Sequence, residues 1–158
     1  MTNQNVVAAV TAHLHDLRAI CDSGYALAIH IRYTRPSLLY RSYDQAWIDH
    51  YSERGFMLTD PVVHWGLTHT GAINWADLSK DDTEGVLTDA LAHGLFNGWT
   101  YATGPATART IAGLTKTGVD FTAAERSKIA QIVDEIHALT EGLDDMPAAD
   151  QEALRALT

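Results

Sequence analysis

Cysteine and positive charge are scarce in this chain of 158 residues. Cys21 is the only cysteine, so no internal disulfide can form and a reducing, cytoplasmic compartment is expected. Lys and Arg number 11 against 20 Asp and Glu, which gives a net charge of −9 and argues against a nucleic-acid-binding surface, because phosphate contacts need clustered basic residues. The N-terminus lacks the basic flank and long apolar run of a signal peptide, and no stretch is long enough to span a bilayer.

Hydrophobic residues make up 46% of the chain, enough for one domain with a sizeable core. Apolar periodicity and turn residues predict an order of helices and strands with two hairpins and no regular strand–helix–strand alternation. This order favours a mostly antiparallel sheet with helices on its faces. The predicted helices are 6–20, 44–54, 61–69, 83–95, 122–141 and a short one from 147, and the predicted strands are 25–33, 38–43, 72–75, 99–103 and 110–117.

Two helix starts carry clear capping signals. Asp60 precedes Pro61, a favoured first helical residue, so Asp60 is the expected N-cap of the helix that follows. Thr122 with Glu125 three residues later forms a capping box.

A group of aromatic residues surrounds the first of these caps in the sequence. Trp47 and Tyr51 are four residues apart and share one face of a helix. Tyr43 and Trp75 flank the same stretch, and Asp60 adds a carboxylate. Apolar walls with a few placed polar groups are typical of a small-molecule pocket.

A family resemblance covers roughly residues 6–142 and rests on six positions. The chain resembles the autoinducer-binding domain of LuxR-type quorum-sensing regulators, and the matching residues are Trp47, Tyr51, Asp60, Pro61, Trp75 and Gly98. The resemblance implies an α+β fold, an α/β/α sandwich with a five-stranded antiparallel sheet between helical layers. It also implies a non-enzymatic domain without metal or cofactor, whose ligand is an N-acyl homoserine lactone held between the sheet and one helical layer.

The resemblance also implies roles for the polar residues. Trp47 would donate its indole N–H to the lactone carbonyl, and an indole N–H can only donate. Asp60 would accept the amide N–H of the ligand, since an ionised carboxylate can only accept. Tyr43 would donate its hydroxyl to the amide carbonyl.

Three further positions complete the expected ligand-binding set. Trp75 would pack against the lactone ring and Tyr51 would line the acyl chain. Relatives often use a Ser or Thr on the strand 110–117 for the amide carbonyl, and the matching position here is Gly113 or Thr115. We assign this role to Thr115.

The resemblance divides the chain at residue 143. Residues 1–143 are the expected sensor domain, and residues 144–158 are the expected linker and start of a helix-turn-helix DNA-binding domain. DNA contact is expected only through that absent C-terminal domain, because no recognition helix is present. The family resemblance further implies a homodimer, with the helices 6–20 and 122–141 as candidate contact faces.

The same residues also allow other interpretations. Asp60 could act only as a helix cap, and the aromatic residues could be ordinary core. An acyl or lactone hydrolase would use Asp60 as the base and His64 as the orienter, although no activated Ser or Cys lies nearby. A third hypothesis is a ligand-free dimerisation module that acts as a dominant-negative partner.

Overall fold

The structure is a computed structural model that describes the backbone of residues 3–157 and the side chains of residues 5–157. Its centre is a five-stranded sheet with the order β2-β1-β5-β4-β3, in which every neighbouring pair is antiparallel. The strands are β1 Gly24–Arg32, β2 Arg35–Arg41, β3 Gly71–Asn74, β4 Trp99–Thr103 and β5 Arg109–Thr115. The predicted antiparallel sheet and its strand count are confirmed.

Helices cover both faces of this sheet, which confirms the predicted sandwich. They are α1 Asn3–Ile20, α2 Gln45–Glu53, α3 Pro61–Thr68, α4 Val86–Ala92, α5 Ala123–Leu139 and α6 Ala148–Arg155. Short 3-10 turns connect several of them, at Phe56–Leu58, Trp75–Asp81, Ala106–Ala108 and Leu143–Asp145. Within residues 3–157 no helix is long and apolar enough to cross a membrane.

One face of the sheet is tightly filled. Large apolar side chains of the strands meet α1, α5 and α6 in one continuous core. Leu27 and Leu114 contribute from the sheet, and Ile132 and Leu17 from the helices, each no more than 1% exposed. Because this core joins elements from both ends of the chain, it holds the domain together.

The helix α6 belongs to the same core. Leu154 is fully buried, and its carbonyl accepts the Tyr40 hydroxyl at 2.8 Å. Residues 144–158, which the sequence assigns to a linker and the start of another domain, therefore include a helix that packs against the sensor fold. What this segment leads into stays a prediction.

A bulge in β1 changes which face its side chains point to. The pairing register with β5 shifts between Ala28 and Ile31, and His30 adopts a left-handed φ of 51°. Before the bulge, Ala26 and Ala28 face α2–α4, and beyond it Ile31 faces this side. The His30 ring instead contacts the His137 ring of α5, with ring centroids 4.2 Å apart and the ring planes tilted by 37°. One inserted residue thus places a histidine in the tight core.

Several element boundaries differ from the prediction by a few residues, and two of them have a clear physical reason. The strand β2 begins at Arg35 and includes Pro36, because β2 is an edge strand where a missing N–H costs no ladder bond. The helix α4 begins at Val86, since Gly85 has a φ of 73° and Asp82 supplies the cap. The predicted cap Asp60 and the predicted capping box of Thr122 and Glu125 are confirmed.

Candidate functional site

The second face of the sheet carries small side chains and forms the floor of a cavity. Directly paired residues of antiparallel strands point to the same face, so the register gives two rows across the sheet. The first row is Arg41, Ala26, Gly113 and Thr100, and the second is Leu39, Ala28, Ile111 and Ala102. With two alanines and a glycine at its centre, this floor leaves space that α2, α3 and α4 cover but do not fill.

The cavity has a volume of about 510 Å³. This lies within the range of roughly 300–1,000 Å³ that is typical of small-molecule sites. Its walls come from α2, α3, α4 and the 3-10 turn at Phe56–Leu58, and most of the lining is apolar. Five of the six predicted site residues line it, and they are Tyr43, Trp47, Tyr51, Asp60 and Trp75.

Asp60 is the buried carboxylate of the cavity, with 8% of its surface exposed. One oxygen accepts the backbone N–H of Val62 at 2.8 Å and so caps α3. The other accepts the Tyr51 hydroxyl at 2.8 Å. Asp60 is therefore a helix cap and a cavity residue at once, and each oxygen keeps a free lone pair for another donor.

Burial raises the pKa of the Asp60 carboxyl above its ordinary value, because the charged form is desolvated. The bonds from Tyr51 and Val62 act in the opposite direction and stabilise the charge. Burial, with the nearby Asp60 charge, also raises the pKa of the Tyr51 and Tyr43 hydroxyls, so both stay protonated donors.

Trp47 lies at the centre of an aromatic cluster on α2. Its ring contacts Tyr51 edge-on at 5.8 Å and the His93 ring at 5.1 Å, and 5% of its surface is exposed. Among residues 3–157, no group accepts a hydrogen bond from its indole N–H. A buried indole usually has an acceptor, so this donor is available to a molecule in the cavity.

Trp75 is held in place by the strands beneath it. Its indole N–H donates to the Thr100 hydroxyl at 2.8 Å, and its backbone N–H donates to the Gly98 carbonyl at 2.9 Å. A Cβ at Gly98 would lie 2.0 Å from the Trp75 ring, so only glycine fits. Since the Trp75 donor is already used, this ring offers the cavity a flat apolar surface.

Tyr43 reaches the floor of the cavity at Gly113. Its hydroxyl donates to the Gly113 carbonyl at 3.2 Å, a long bond that another acceptor could replace. A Cβ at Gly113 would lie 3.5 Å from this hydroxyl and 3.4 Å from Trp75, which is ordinary contact. Gly113 therefore provides open floor between the two aromatic residues.

Thr115 is the one predicted site residue that the structure does not bring to the cavity. It is fully buried, accepts a hydrogen bond from the Ser23 hydroxyl at 2.8 Å and donates to the Gly24 carbonyl at 3.0 Å. Its hydroxyl fastens the start of β1 to the end of β5. Of the two aligned positions, Gly113 is the one at the cavity.

The groups required for hydrolysis do not come together. His64 is exposed and contacts the carbonyl of Leu58 at 2.9 Å, while the Asp60 oxygens bond to Tyr51 and Val62. Burial raises the pKa of the Cys21 thiol to about 12, which leaves it unreactive. Across residues 3–157, no group of three His, Cys, Asp or Glu is placed to hold a metal ion.

Sequence reasoning missed the floor of the cavity. The signal was present in β1, where Tyr25, Leu27 and Ile29 alternate with Ala26 and Ala28. Alternation of large with small side chains indicates two differently packed faces. It becomes interpretable as a cavity only when the register with β2 and β5 is known.

An α+β sandwich with an apolar chamber under one helical layer is the architecture of a small-molecule-binding domain. A family model for the autoinducer binding domain matches residues 8–141. The chain therefore belongs to the autoinducer-binding domain family, and the resemblance read from its six positions is confirmed. Proteins with this domain are ligand-sensing transcription factors rather than enzymes, which confirms the expectation of a non-enzymatic domain.

Individual relatives agree with this assignment. The regulatory protein SdiA of Escherichia coli (strain K12) is 30% identical over 79 residues, which cover 48% of this chain and 33% of SdiA. A crystal structure of Escherichia coli SdiA matches with a TM-score of 0.65 at 23% identity, over 94% of this chain and 64% of that chain. This chain thus spans less than two thirds of the length of the regulator.

Two further structures share the fold. SdiA in complex with octanoyl-rac-glycerol matches with a TM-score of 0.64 at 22% identity, over 91% of this chain and 61% of that chain. CepR2 of Burkholderia cenocepacia, described as an N-acylhomoserine lactone dependent LuxR family transcription factor, matches with a TM-score of 0.58 at 12% identity. That match covers 87% of this chain and 93% of CepR2.

Proposed function

We propose that this chain is the ligand-sensing domain of a LuxR-type quorum-sensing transcriptional regulator and binds an N-acyl homoserine lactone in the cavity. The observation that carries the proposal is the cavity itself, about 510 Å³ of mostly apolar space with donors and a buried carboxylate in its wall. An acyl homoserine lactone has the complementary pattern, with two carbonyl acceptors, one amide donor and an alkyl chain.

Each polar group of the ligand has a partner in this binding mode. The Trp47 indole N–H, which has no acceptor among residues 3–157, donates to the lactone carbonyl. Asp60 accepts the amide N–H, and Tyr43 turns its hydroxyl from Gly113 to the amide carbonyl. In a dry cavity, each of these bonds left unmade would cost about 1–3 kcal/mol.

The remaining residues position the apolar parts of the ligand. Trp75, whose own donor is bound to Thr100, packs against the lactone ring, and Tyr51 holds the Asp60 carboxylate while its ring contacts the chain. The chain contributes about 0.8 kcal/mol per buried methylene. Affinity thus comes mainly from the chain and orientation from the head group.

The decisive experiment compares two aspartates that both cap helices. Asp60 caps α3 inside the cavity, whereas Asp82 caps α4 outside it through the N–H groups of Val86 and Leu87. The protein is produced with a panel of lactones of different acyl length, and retained ligand is identified by mass spectrometry. Affinity for the retained lactone is then measured for the wild type, Asp60→Asn and Asp82→Asn.

We expect Asp60→Asn to weaken binding roughly tenfold or more, because the amide N–H loses its ionised acceptor. Asparagine is also a good N-cap, so the fold is retained. Asp82→Asn keeps the wild-type affinity. Equal affinity of all three proteins, or no lactone retained from any culture, contradicts the proposal.

A second ligand class follows from the SdiA complex with octanoyl-rac-glycerol. A monoacylglycerol has an acyl chain and hydroxyl donors but no amide and no lactone ring. If it were the ligand here, it would be retained in cultures without lactone, and excess lactone would not displace it.

Assembly and DNA binding complete the proposed role. The domain acts as part of a homodimer, and it controls DNA binding through a C-terminal domain in the whole regulator. The α1 and α5 surfaces are the candidate dimer faces. Size-exclusion chromatography with light scattering, with and without lactone, tests the dimer directly.

A further inference from the structure

Arg41 brings a positive charge to the cavity floor at the edge of the sheet. It pairs with Ala26, which pairs with Gly113, so the three residues form one row on the same face. Two strand spacings, about 10 Å, separate the backbones of Arg41 and Gly113. In the proposed binding mode the ligand head group lies over Gly113, between Tyr43 and Trp75.

The guanidinium of Arg41 has no ion pair or hydrogen bond with any residue of the range 5–157. Two other arginines form ion pairs, Arg32 with Asp144 and Arg126 with Asp120, both at 3.0 Å. Among the described residues that line the cavity, Arg41 is the only lysine or arginine. Its planar fork of donors matches a carboxylate in shape and charge.

Apolar residues line the cavity near this edge of the sheet. Leu39 lies two positions earlier on the same face of β2, and Met57 and Leu58 line the cavity from the 3-10 turn opposite. Leu39, Met57 and Leu58 are 45%, 44% and 73% exposed, so this end of the cavity opens to solvent. The chamber therefore has polar groups near Gly113, apolar walls along its length and one cation at its mouth.

Resting on the proposed function, we propose that Arg41 is a second polar subsite and that the preferred acyl chain ends in a carboxylate. The lactone head occupies the Tyr43, Asp60 and Trp75 end, the methylenes lie over Ala26 and Ala28, and the terminal carboxylate meets Arg41 at the mouth. The charge stays near water, so the ligand carboxylate is not desolvated deep in the cavity.

The test uses pairs of synthetic lactones of equal length, one ending in a methyl group and one in a carboxylate. Acyl chains of about six to twelve carbons bracket the roughly 10 Å from Gly113 to Arg41. Affinities are measured by isothermal titration calorimetry for the wild type, Arg41→Gln and Arg35→Gln. Arg35 is the matched control, because it is an exposed arginine of β2 that does not line the cavity.

At one chain length, the wild type binds the carboxylate ligand roughly three- to tenfold tighter than the methyl ligand. Arg41→Gln abolishes this preference by weakening binding of the carboxylate ligand much more than binding of the methyl ligand, whereas Arg35→Gln keeps the preference. Added salt reduces the preference for the carboxylate ligand, because the ion pair between Arg41 and the ligand lies near solvent. These results support the subsite.

Two results overturn the proposal, and they differ from a failure of lactone binding as such. If the methyl ligands bind and no carboxylate ligand is preferred at any length, Arg41 is only a solvated charge that protects the sheet edge from pairing. If the preference survives Arg41→Gln, another group recognises the carboxylate. If neither ligand of any pair binds, the proposed function itself fails.

Discussion

The two faces of the sheet are built from the same strands but differ in how densely they are packed. On the face towards α1, α5 and α6, β1 and β5 present Leu27 and Leu114, both no more than 1% exposed. On the face towards α2, α3 and α4, the same strands present Ala28 and Gly113, and a cavity of about 510 Å³ remains. Because large and small side chains alternate along these strands, one face of the sheet is tightly packed and the other borders a cavity.

The difference has an energetic consequence. Atoms in a tightly packed interior make many small dispersion contacts, and atoms in the wall of an empty cavity lack these contacts on one side. A molecule that fills the chamber supplies them and binds only the folded state, so it raises the free energy of unfolding with its concentration. Most of the free energy of unfolding therefore comes from the face that packs against α1, α5 and α6. Its dependence on ligand comes from the face that borders the cavity.

The largest expected effect comes from truncating one side chain on each face of β5. Leu114→Ala opens a new cavity in the tight core and lowers the free energy of unfolding by about 2–5 kcal/mol. Ile111→Ala extends a cavity that already exists, and we expect it to cost roughly 1 kcal/mol less. Urea denaturation without ligand measures both. Equal costs would mean that the two faces are packed alike.

Adding volume should separate the faces in the opposite way. Ala112→Leu overpacks the tight face, where Ala112 has no exposed surface, and costs about 1–3 kcal/mol. Ala28→Leu projects into the chamber, changes stability by less than about 1 kcal/mol and blocks lactone binding. Thermal unfolding with and without lactone distinguishes the two. Retained lactone binding in Ala28→Leu would place the ligand elsewhere.

A smaller effect concerns pH and the histidines of the tight face. Burial lowers the pKa of both His30 and His137. A charge on the His137 ring lowers the pKa of His30 further, whereas the Glu141 charge acts on both histidines in the opposite direction and Asp134 does so on His137. The His30 Nε2 contacts the His137 carbonyl and the Thr140 hydroxyl, both at 3.0 Å.

The sign of this effect follows from proton uptake. Below about pH 6.5 the unfolded chain binds protons that the folded histidines exclude, so the free energy of unfolding falls as the pH drops through that value. Replacing His137 with Gln should flatten the dependence. The matched control is His15→Gln on the exposed side of α1, which should leave it unchanged.

Local signals made much of the fold predictable. Asp60 before Pro61 and Thr122 before Glu125 marked two helix starts, because capping depends on residues a few positions apart. The start of α4 was not predictable in this way. The cap at Asp82 depends on the left-handed turn at Gly85, which brings the backbone N–H groups of Val86 and Leu87 back to its carboxylate.

The residues of the candidate site could be predicted from the sequence, but the shape of the cavity they line could not. The aromatic positions and Asp60 could be read from their spacing and resemblance. The Ala26–Gly113 floor and the position of Arg41 depend on strand pairing between distant segments, which spacing along the chain does not encode. The assignment of Thr115 shows the same limit, since a shift of two residues separates a cavity position from a strand-end hydrogen bond.

In the proposed function, an acyl homoserine lactone binds in the cavity between the sheet and α2–α4. Backbone hydrogen exchange of this chain, compared with and without a saturating lactone, tests it most directly. If the lactone binds there, exchange slows chiefly in α2, α3, α4 and the 3-10 turn at Phe56–Leu58, with much smaller changes in α1, α5 and α6. Slowing concentrated in α1, α5 and α6, or no slowing at saturation, would contradict it.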